Sequence, residues 1–276
     1  TDSTTYLPAE YLEKYVIRVA PASVIWTGEE LQDGIDILPA EFYSRLESDK
    51  EMPTTSQATP IVFKTIFEEL LAEGYDILTI VISSKLSGTV ASVEHALQMM
   101  PDANIELIDS MSGSMGAGWP VLEAAKAAAD GANLAECKAI AERALENVGI
   151  LLTVETLDYL HRGGRIGGAQ RFLGAVLNMK PILEIADGGF EGLERVRTYK
   201  KAQNRLVELL QDRIDGRSPV RLAVLHANAP DVAKRLLEQA SEVVHPIETI
   251  FTDVSPAVGV HLGPGTVGLA FMAGIE

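Results

Sequence analysis

Residues 76–82 read DILTIVI, and residues 83–89 continue as SSKLSGT. The first run is nearly all apolar, which is typical of a strand buried in a parallel sheet. The second run holds several hydroxyls and a glycine, and a helical pattern follows it to about Met100. A strand, a polar turn and a helix in this order predict one unit of a parallel α/β sheet.

The same alternation extends outward from this unit. Residues 16–20 and 23–26 are predicted strands, a helical stripe ends at Gly74, and residues 104–108 are the next predicted strand. We therefore expect residues 1–150 to form an α/β domain, with a mainly parallel sheet and helices on both faces.

Beyond residue 150 the pattern indicates a mixed sheet with helices. Residues 181–185 and 193–197 flank Asp187-Gly188-Gly189, which is typical of a β-hairpin. The other predicted elements are strands at 150–154, 220–225 and 243–251, a helix through Phe172, Val176 and Leu177, and helices near residues 157–161, 200–214 and 230–240. Residues 151–276 are therefore predicted to form a second α/β domain.

Composition limits the class of partner. The net charge of −16 disfavours nucleic acid and anionic membrane surfaces, which attract lysine and arginine. Cys137 is the single cysteine, so no intrachain disulfide forms and a cytoplasmic location is expected. The apolar runs are too short to span a bilayer, so we expect no stable membrane insertion. The chain opens on a turn-like segment, and we expect a few native residues before Thr1.

Polar side chains concentrate in four segments, residues 1–5, 54–57, 83–89 and 109–114. In a parallel sheet such turns gather at the carboxyl edge of the strands, where ligands bind and the next helix begins. Hydroxyls and free amides suit a small anion such as a carboxylate or a phosphate. Helix capping requires the same residue types, although residues 83–89 hold more hydroxyls than a cap needs.

Two further segments hold residues that suit a ligand or a partner. Residues 258–266 are interpreted as an apolar strand followed by a glycine turn, with His261 between them, and the glycines allow close backbone approach. His261 is either a structural donor or part of a site. The histidines share no metal-ligand spacing, so no metal site is expected. Arg162 and Arg165 lie in a glycine-rich segment, either as solvated charges or as a docking patch for a partner or a phosphate.

Nine short motifs, taken together and in order, resemble the DegV family of bacterial fatty-acid-binding proteins. They are Thr1-Asp2-Ser3-Thr4, Asp33-Gly34, Thr54-Thr55-Ser56-Gln57, Ser84-Lys85-Leu86-Ser87-Gly88-Thr89, Ile108-Asp109-Ser110, Gly163-Gly164-Arg165-Ile166, Met179-Lys180-Pro181-Ile182-Leu183, Asp187-Gly188 and His261-Leu262-Gly263-Pro264-Gly265.

The resemblance implies two α/β domains with a long-chain fatty acid buried between them. It implies a non-catalytic carrier without a cofactor, which presents the carboxylate to a separate ATP-using fatty-acid kinase. Carried onto this chain, the carboxylate would bind Thr55, Ser87 and His261, and Arg165 would dock the kinase. Because Arg165 is far from these residues in sequence, we expect it to lie apart from them. Further candidates in the head-group loops are Ser56, Ser84, Gly88, Thr89 and Ser110.

Three alternative interpretations stay open. Ser87, His261 and Asp109 are the residue types of a Ser–His–Asp lipid ester hydrolase, although no Gly-x-Ser-x-Gly motif surrounds any serine. A lipid sensor would use the same site with another partner. An α/β protein whose polar turns only cap helices would bind nothing.

Overall fold

The structure, a computed structural model, describes residues 1–49, 51–174 and 179–275. Two residues of the helix predicted through Phe172, Val176 and Leu177 lie outside these ranges. Phe172 itself ends a short 3-10 helix, Gly167–Phe172.

Strands and helices alternate along most of the chain. The strands are β1 Ser23–Trp26, β2 Glu29–Gln32, β3 Thr54–Ser56, β4 Ile77–Val81, β5 Ile105–Asp109, β6 Val148–Thr153, β7 Lys180–Ala186, β8 Gly189–Val196, β9 Val220–His226, β10 Glu248–Asp253 and β11 Val267–Ala273. The helices are α1 Ala9–Lys14, α2 Pro39–Ser48, α3 Pro60–Ala72, α4 Thr89–Gln98, α5 Ser114–Ala129, α6 Leu134–Leu145, α7 Asp158–Arg162, α8 Tyr199–Ile214, α9 Pro230–Val244 and α10 Pro256–Leu262. None of these helices is long and apolar enough to cross a membrane.

The parallel unit predicted from residues 76–89 is present as the pair β4–β5. Helices cover both of its faces, with α3 and α4 on one side and α5 and α6 on the other. Ile77 and Val81 belong to the core on the α3–α4 side, whereas Ile80 belongs to the core on the α5–α6 side. This alternation explains the nearly continuous apolar run, because both faces of the strand are buried.

Two further sheets complete the mixed α/β fold. The first half also forms a three-stranded antiparallel sheet in the order β2-β1-β3, and the sequence did not indicate it. The second half forms a mixed six-stranded sheet in the order β10-β9-β11-β6-β7-β8. This mixed sheet is as predicted. Because β6 is one of its strands, the boundary near residue 150 falls inside that strand, and the boundary stays a prediction.

The predicted hairpin of the second half is confirmed as β7–β8. Asp187 and Gly188 form its turn with φ of 48° and 80°. Positive φ at both central residues matches the right-handed twist of the flanking strands, which is why Asp-Gly is favoured there.

The strand predicted at residues 16–20 is wrong. Ile17 N–H bonds Leu12 O and closes α1, and Ala20 makes only an isolated bridge to Asp2. An apolar run is not sufficient for a strand here. The backbone groups of this run form hydrogen bonds that end α1 and that bind the N-terminal residues.

The apolar strand predicted before His261 is also wrong, because this segment belongs to helix α10. Ser255 caps the helix by accepting a hydrogen bond from Val258 N–H, and Pro256 is its first residue. A serine followed by proline is a helix start signal. The sequence therefore contained the signal for a helix start, but the prediction followed the apolar composition instead.

Candidate functional site

A cavity that holds most of the predicted site residues is lined by both halves of the chain. Its residues come from β3, the segment after β4, the start of α5, the six-stranded sheet and α10; they are Thr4, Ala22, Thr55, Ser56, Gln57, Ile82, Leu86, Ser87, Thr89, Gly113, Ser114, Ile150, Leu152, Arg165, Ile185, Phe190, Leu225, Ala257, Val258, His261 and Leu262. We call Thr55, Ser87, Arg165 and His261 the mouth of the cavity, because each is only partly buried. Its inner wall is apolar and is described below.

Thr55 and His261 are in direct contact at the mouth. The Thr55 Oγ1 atom lies 2.9 Å from His261 Nε2. Strand pairing with β1 positions Thr55 opposite Val24, and α10 packs against both strands. A hydroxyl both donates and accepts, so it bonds either tautomer of the imidazole.

Burial and a neighbouring charge keep the His261 ring neutral. Burial and, next, the Arg165 guanidinium lower the pKa of His261 to about 4. The Nδ1 atom is buried without a hydrogen-bond partner in the described part of the chain. Gly163 makes this position possible, because a Cβ built there would lie 2.1 Å from Nδ1. At neutral pH, His261 is therefore an uncharged imidazole that packs against the backbone of Gly163.

Ser87 and Thr89 bring two more hydroxyls to the cavity. Their oxygens are 2.8 Å apart. Thr89 is the first residue of α4, and the preceding Gly88 supplies no side-chain cap. Gly88 leaves space for Gln57, whose amide nitrogen would be 2.8 Å from a Cβ at that position. The mouth thus combines hydroxyls with the N-terminal end of a helix, where an anion is favoured.

Arg165 lies at the mouth and not apart from it, which corrects our expectation from sequence distance. Its Nε donates to Leu86 O at 3.0 Å and its Nη1 donates to Gly163 O at 2.7 Å. The packing of α7 against α10 brings the Arg165 loop to His261. The guanidinium is the positive charge of the site, and its two backbone bonds orient it.

The inner wall of the cavity is apolar. It comprises the buried residues Ile82, Leu86, Ile150, Leu152, Phe190 and Leu225. Leu152 and Leu225 are both opposite Gly268 in the register of β11 with β6 and β9. A Cβ at Gly268 would lie 3.0 Å from the Leu152 Cβ and 3.1 Å from a Leu225 methyl carbon. Glycine at this position lets the two leucines form a continuous apolar surface.

Two of the predicted residues lie away from the cavity. Ser84 is exposed, and its N–H donates to the Asp109 carboxylate at 3.2 Å. Ser110 is buried, and its hydroxyl donates to Ser112 O. Both residues stabilise the loops after β4 and β5 without capping a helix, because α4 and α5 begin after Gly88 and Gly113, which have no side chain to form a cap.

The opening segment is also structural for the most part. Asp2 accepts hydrogen bonds from Thr4 N–H and Ile82 N–H, and Ser3 Oγ donates to Asp33 at 2.7 Å. Only Thr4 of this segment lines the cavity. The motif at the N-terminus and the Asp33-Gly34 motif therefore contact each other, and together they support the loop after β4.

Sequence reasoning did not select Ser114 as a site residue, although it quoted residues 109–114 as a polar turn. Ser114 is buried, lines the cavity, and has no hydrogen-bond partner for its hydroxyl within the described residues. Its place after strand β5 was the available signal, and the choice among several serines required the tertiary structure.

No hydrogen-bonded Ser–His–Asp relay joins Ser87, His261 and Asp109 in the described ranges. The Ser87 hydroxyl bonds Thr89, and His261 Nε2 bonds Thr55. Asp109 accepts from the amides of Ser84 and Met111. A Ser–His–Asp hydrolase requires a hydrogen bond from the serine hydroxyl to one imidazole nitrogen and a hydrogen bond between the carboxylate and the other imidazole nitrogen. The described residues also contain no group of three His, Cys, Asp or Glu side chains arranged for a metal.

Residues 1–274 match the family model described as uncharacterised protein, DegV family. The chain belongs to the DegV family. A DegV domain-containing protein of Clostridium perfringens is 35% identical over 275 residues, which is 98% of this chain and 96% of the relative.

Solved DegV structures share the fold over the full length. A fatty-acid-binding DegV family protein from Thermus thermophilus is 34% identical with a TM-score of 0.93, covering 99% of this chain and 97% of that protein. A stearic-acid-binding protein from Eubacterium ventriosum is 25% identical with a TM-score of 0.92, covering 100% of this chain and 97% of that protein.

Proposed function

We propose that this DegV protein binds a long-chain fatty acid in the cavity, with the carboxylate at the mouth and the acyl chain along the inner wall. The protein presents the carboxylate to a separate ATP-using kinase, which forms an acyl-phosphate. One observation carries the binding proposal: hydroxyls, a neutral imidazole and one guanidinium meet at the mouth of a cavity that is apolar inside.

The hydrogen bond between Thr55 and His261 suits a carboxylate. With the proton on Nε2, His261 donates to Thr55 Oγ1, and the Thr55 hydroxyl hydrogen is then free for a carboxylate oxygen. Ser87 and Thr89 share one hydrogen bond, so one of their two hydroxyl hydrogens is free as well. Bonds of this kind to a charged acceptor are the strong ones.

Arg165 supplies the countercharge for the ligand. Its charge lowers the pKa of His261, and the same field favours an anion at the mouth. In a chain with a net charge of −16, one guanidinium beside the ligand also limits long-range repulsion of a carboxylate.

The inner wall supports the choice of a long apolar tail. Each buried methylene contributes about 0.8 kcal/mol, so a long acyl chain binds mainly through its tail. The head group then sets orientation. The Thermus protein is described as fatty-acid-binding and the Eubacterium protein as stearic-acid-binding, which supports the same class of ligand for this cavity.

A kinase partner is the finer part of the proposal. It is supported by the mouth, where the carboxylate would face solvent, and by the half-buried Arg165 and the exposed Arg162 next to it. A sensor would use the same cavity and differ only in its partner.

The deciding experiment is identification of the small molecule released from the denatured protein. We expect mass spectrometry of a solvent extract to detect a fatty acid acquired from the expression host. Repeated extraction without an acyl chain, from protein that also fails to bind added octadecanoic acid, would reject the proposal. A fluorophosphonate probe tests the hydrolase alternative in parallel, because only an activated serine reacts with it.

A further inference from the structure

Ser114 differs from the other hydroxyl side chains of the cavity. The hydroxyls of Thr4, Thr55, Ser56, Ser87 and Thr89 all have hydrogen-bond partners. Ser114 is 6% exposed, and its hydroxyl has no partner within the described residues. A buried hydroxyl without a partner is costly, so this group is a candidate to meet a polar atom of the ligand.

The start of helix α5 provides further donors at the same place. Gly113 precedes the helix and supplies no side-chain cap. The first helical bonds run from the amides of Gly116 and Ala117 to Gly113 O. The amides of Ser114 and Met115 precede these bonds, at the positive end of a helix that runs to Ala129.

The contacts of Leu86 show where Ser114 lies relative to the mouth of the cavity. Its carbonyl accepts from Arg165 Nε at the mouth. Its methyl carbon Cδ1 lies 3.9 Å from where a Cβ at Gly113 would be. One leucine thus reaches from the mouth to the residue before Ser114. Farther along α5, a Cβ at Gly116 would lie 3.8 Å from the Cβ of Ile150 in the inner wall. Ser114 is therefore beside the path of the acyl chain, below the head group.

We infer that Ser114 recognises a hydroxyl group carried in the middle of the acyl chain, so that oxygenated fatty acids are ligands of this cavity. The inference rests on the proposed fatty-acid function. A plain methylene chain leaves the Ser114 hydroxyl buried and unpaired, whereas a mid-chain hydroxyl pairs with it. The hydroxyl of such a ligand in turn finds its partner inside an apolar wall, where few alternatives exist.

The test compares affinities for octadecanoic acid, 10-hydroxyoctadecanoic acid and 12-hydroxyoctadecanoic acid in the unmodified protein and in Ser114→Ala. For at least one hydroxy acid, the affinity relative to octadecanoic acid is expected to fall about tenfold in the variant, the size of one lost buried hydrogen bond. Ser114→Cys keeps the size of the side chain but bonds weakly, and is expected to shift the ratio in the same direction.

Thr79→Val is the matched control, because Thr79 also has a buried hydroxyl without a hydrogen-bond partner in the part of the chain that the structure describes, but it does not line the cavity. Its affinity ratios are expected to stay unchanged. If the ratios of both hydroxy acids change by less than roughly threefold in Ser114→Ala and Ser114→Cys, the inference is overturned, since one hydrogen bond would change them more. If the unmodified protein fails to bind octadecanoic acid itself, the proposed function fails instead. The two failures are thus distinguishable.

Discussion

Thr55 Oγ1 and His261 Nε2 lie 2.9 Å apart although 206 residues separate them in the sequence. The contact forms because α10 packs against both β1 and β3 of the small antiparallel sheet. The packing of α7 against α10 adds Arg165 to the same place. A short helix in the second half of the chain therefore organises a site whose hydroxyls come from the first half.

The hydroxyls and the imidazole at the mouth can be tested by truncation. A hydrogen bond to a charged group contributes about 1.5–3 kcal/mol, so Ser87→Ala is expected to weaken fatty-acid binding by roughly ten- to a hundredfold. His261→Ala is expected to weaken it by about tenfold, because His261 acts by orienting the Thr55 hydroxyl through a neutral hydrogen bond. Both variants should still carry an acyl chain, because the tail contributes more than the head group. Kinase-coupled formation of acyl-phosphate should decrease more than binding, since transfer requires accurate placement of the carboxylate oxygen.

Ser84→Ala is the control for these two variants, because Ser84 is an exposed serine of the same loop that does not line the cavity. It should resemble the unmodified protein in lipid content and in turnover. Full turnover in both Ser87→Ala and His261→Ala would remove the assignment of the carboxylate site.

Replacement of Arg165 tests its two proposed roles, as a countercharge for the carboxylate and as a contact for the kinase. Arg165→Ala removes the countercharge and the bonds to Leu86 and Gly163. We expect weaker fatty-acid binding, a larger loss of kinase turnover, and a pKa of His261 that moves up but stays below its ordinary value, because burial is the larger cause of its shift. Titration of the His261 ring by NMR measures the last effect.

Arg162→Ala provides the comparison for Arg165→Ala, since Arg162 is exposed and does not line the cavity. Its His261 titration should match that of the unmodified protein. An unchanged pKa of His261 in Arg165→Ala would show that the guanidinium does not act on the ring.

The lowered pKa of His261 predicts a pH dependence of stability. The ring titrates at about 4 in the folded protein and at its ordinary value of 6.5 when unfolded. As pH falls from about 7 to 4, the unfolded state takes up the proton first, so stability decreases by up to about 3 kcal/mol from this group. His261→Gln should therefore lose less stability than the unmodified protein over this range.

Denaturant unfolding at several pH values measures this difference in slope. Asp33, whose pKa burial raises to about 7, titrates in the same range in both proteins and cancels in the comparison. His95→Gln serves as control because His95 is exposed on α4. Equal slopes for His261→Gln and the unmodified protein would contradict the assigned titration.

Gly163 is expected to be intolerant of a side chain. A Cβ at this position would lie 2.1 Å from His261 Nδ1 and 3.1 Å from Tyr159 O. Gly163→Ala should displace the imidazole, break its bond to Thr55 and weaken fatty-acid binding, with a stability loss of about 1–3 kcal/mol typical of overpacking.

Gly189→Ala tests whether this effect is specific to Gly163. Gly189 begins β8, and no atom of the described residues lies within 4 Å of a Cβ built there. Its alanine variant should bind lipid normally. Normal binding by Gly163→Ala would mean that the His261 position is not held by this contact.

Some elements were predictable because their signal is local. Strand β4 was predictable because burial of both its faces requires consecutive apolar residues. The turn at Asp187-Gly188 was predictable because its two residues adopt positive φ, which this residue pair favours. The apolar segment before His261 was wrongly predicted as a strand, because a short apolar run fits a buried strand as well as a buried helix. Only its capping residues, Ser255 and Pro256, distinguish the two.

The sequence by itself determined the mixed α/β class, the hairpin and, through its ordered motifs, the DegV family. Periodicity and turn chemistry act over a few residues, so a single chain shows them directly. The tertiary structure alone decided that Arg165 lies beside His261, that Ser84 and Ser110 bond neighbouring loop residues, and that the Ser114 hydroxyl has no hydrogen-bond partner within the described ranges. These relationships depend on how distant helices and sheets pack, and the spacing of residues along the chain does not encode that packing.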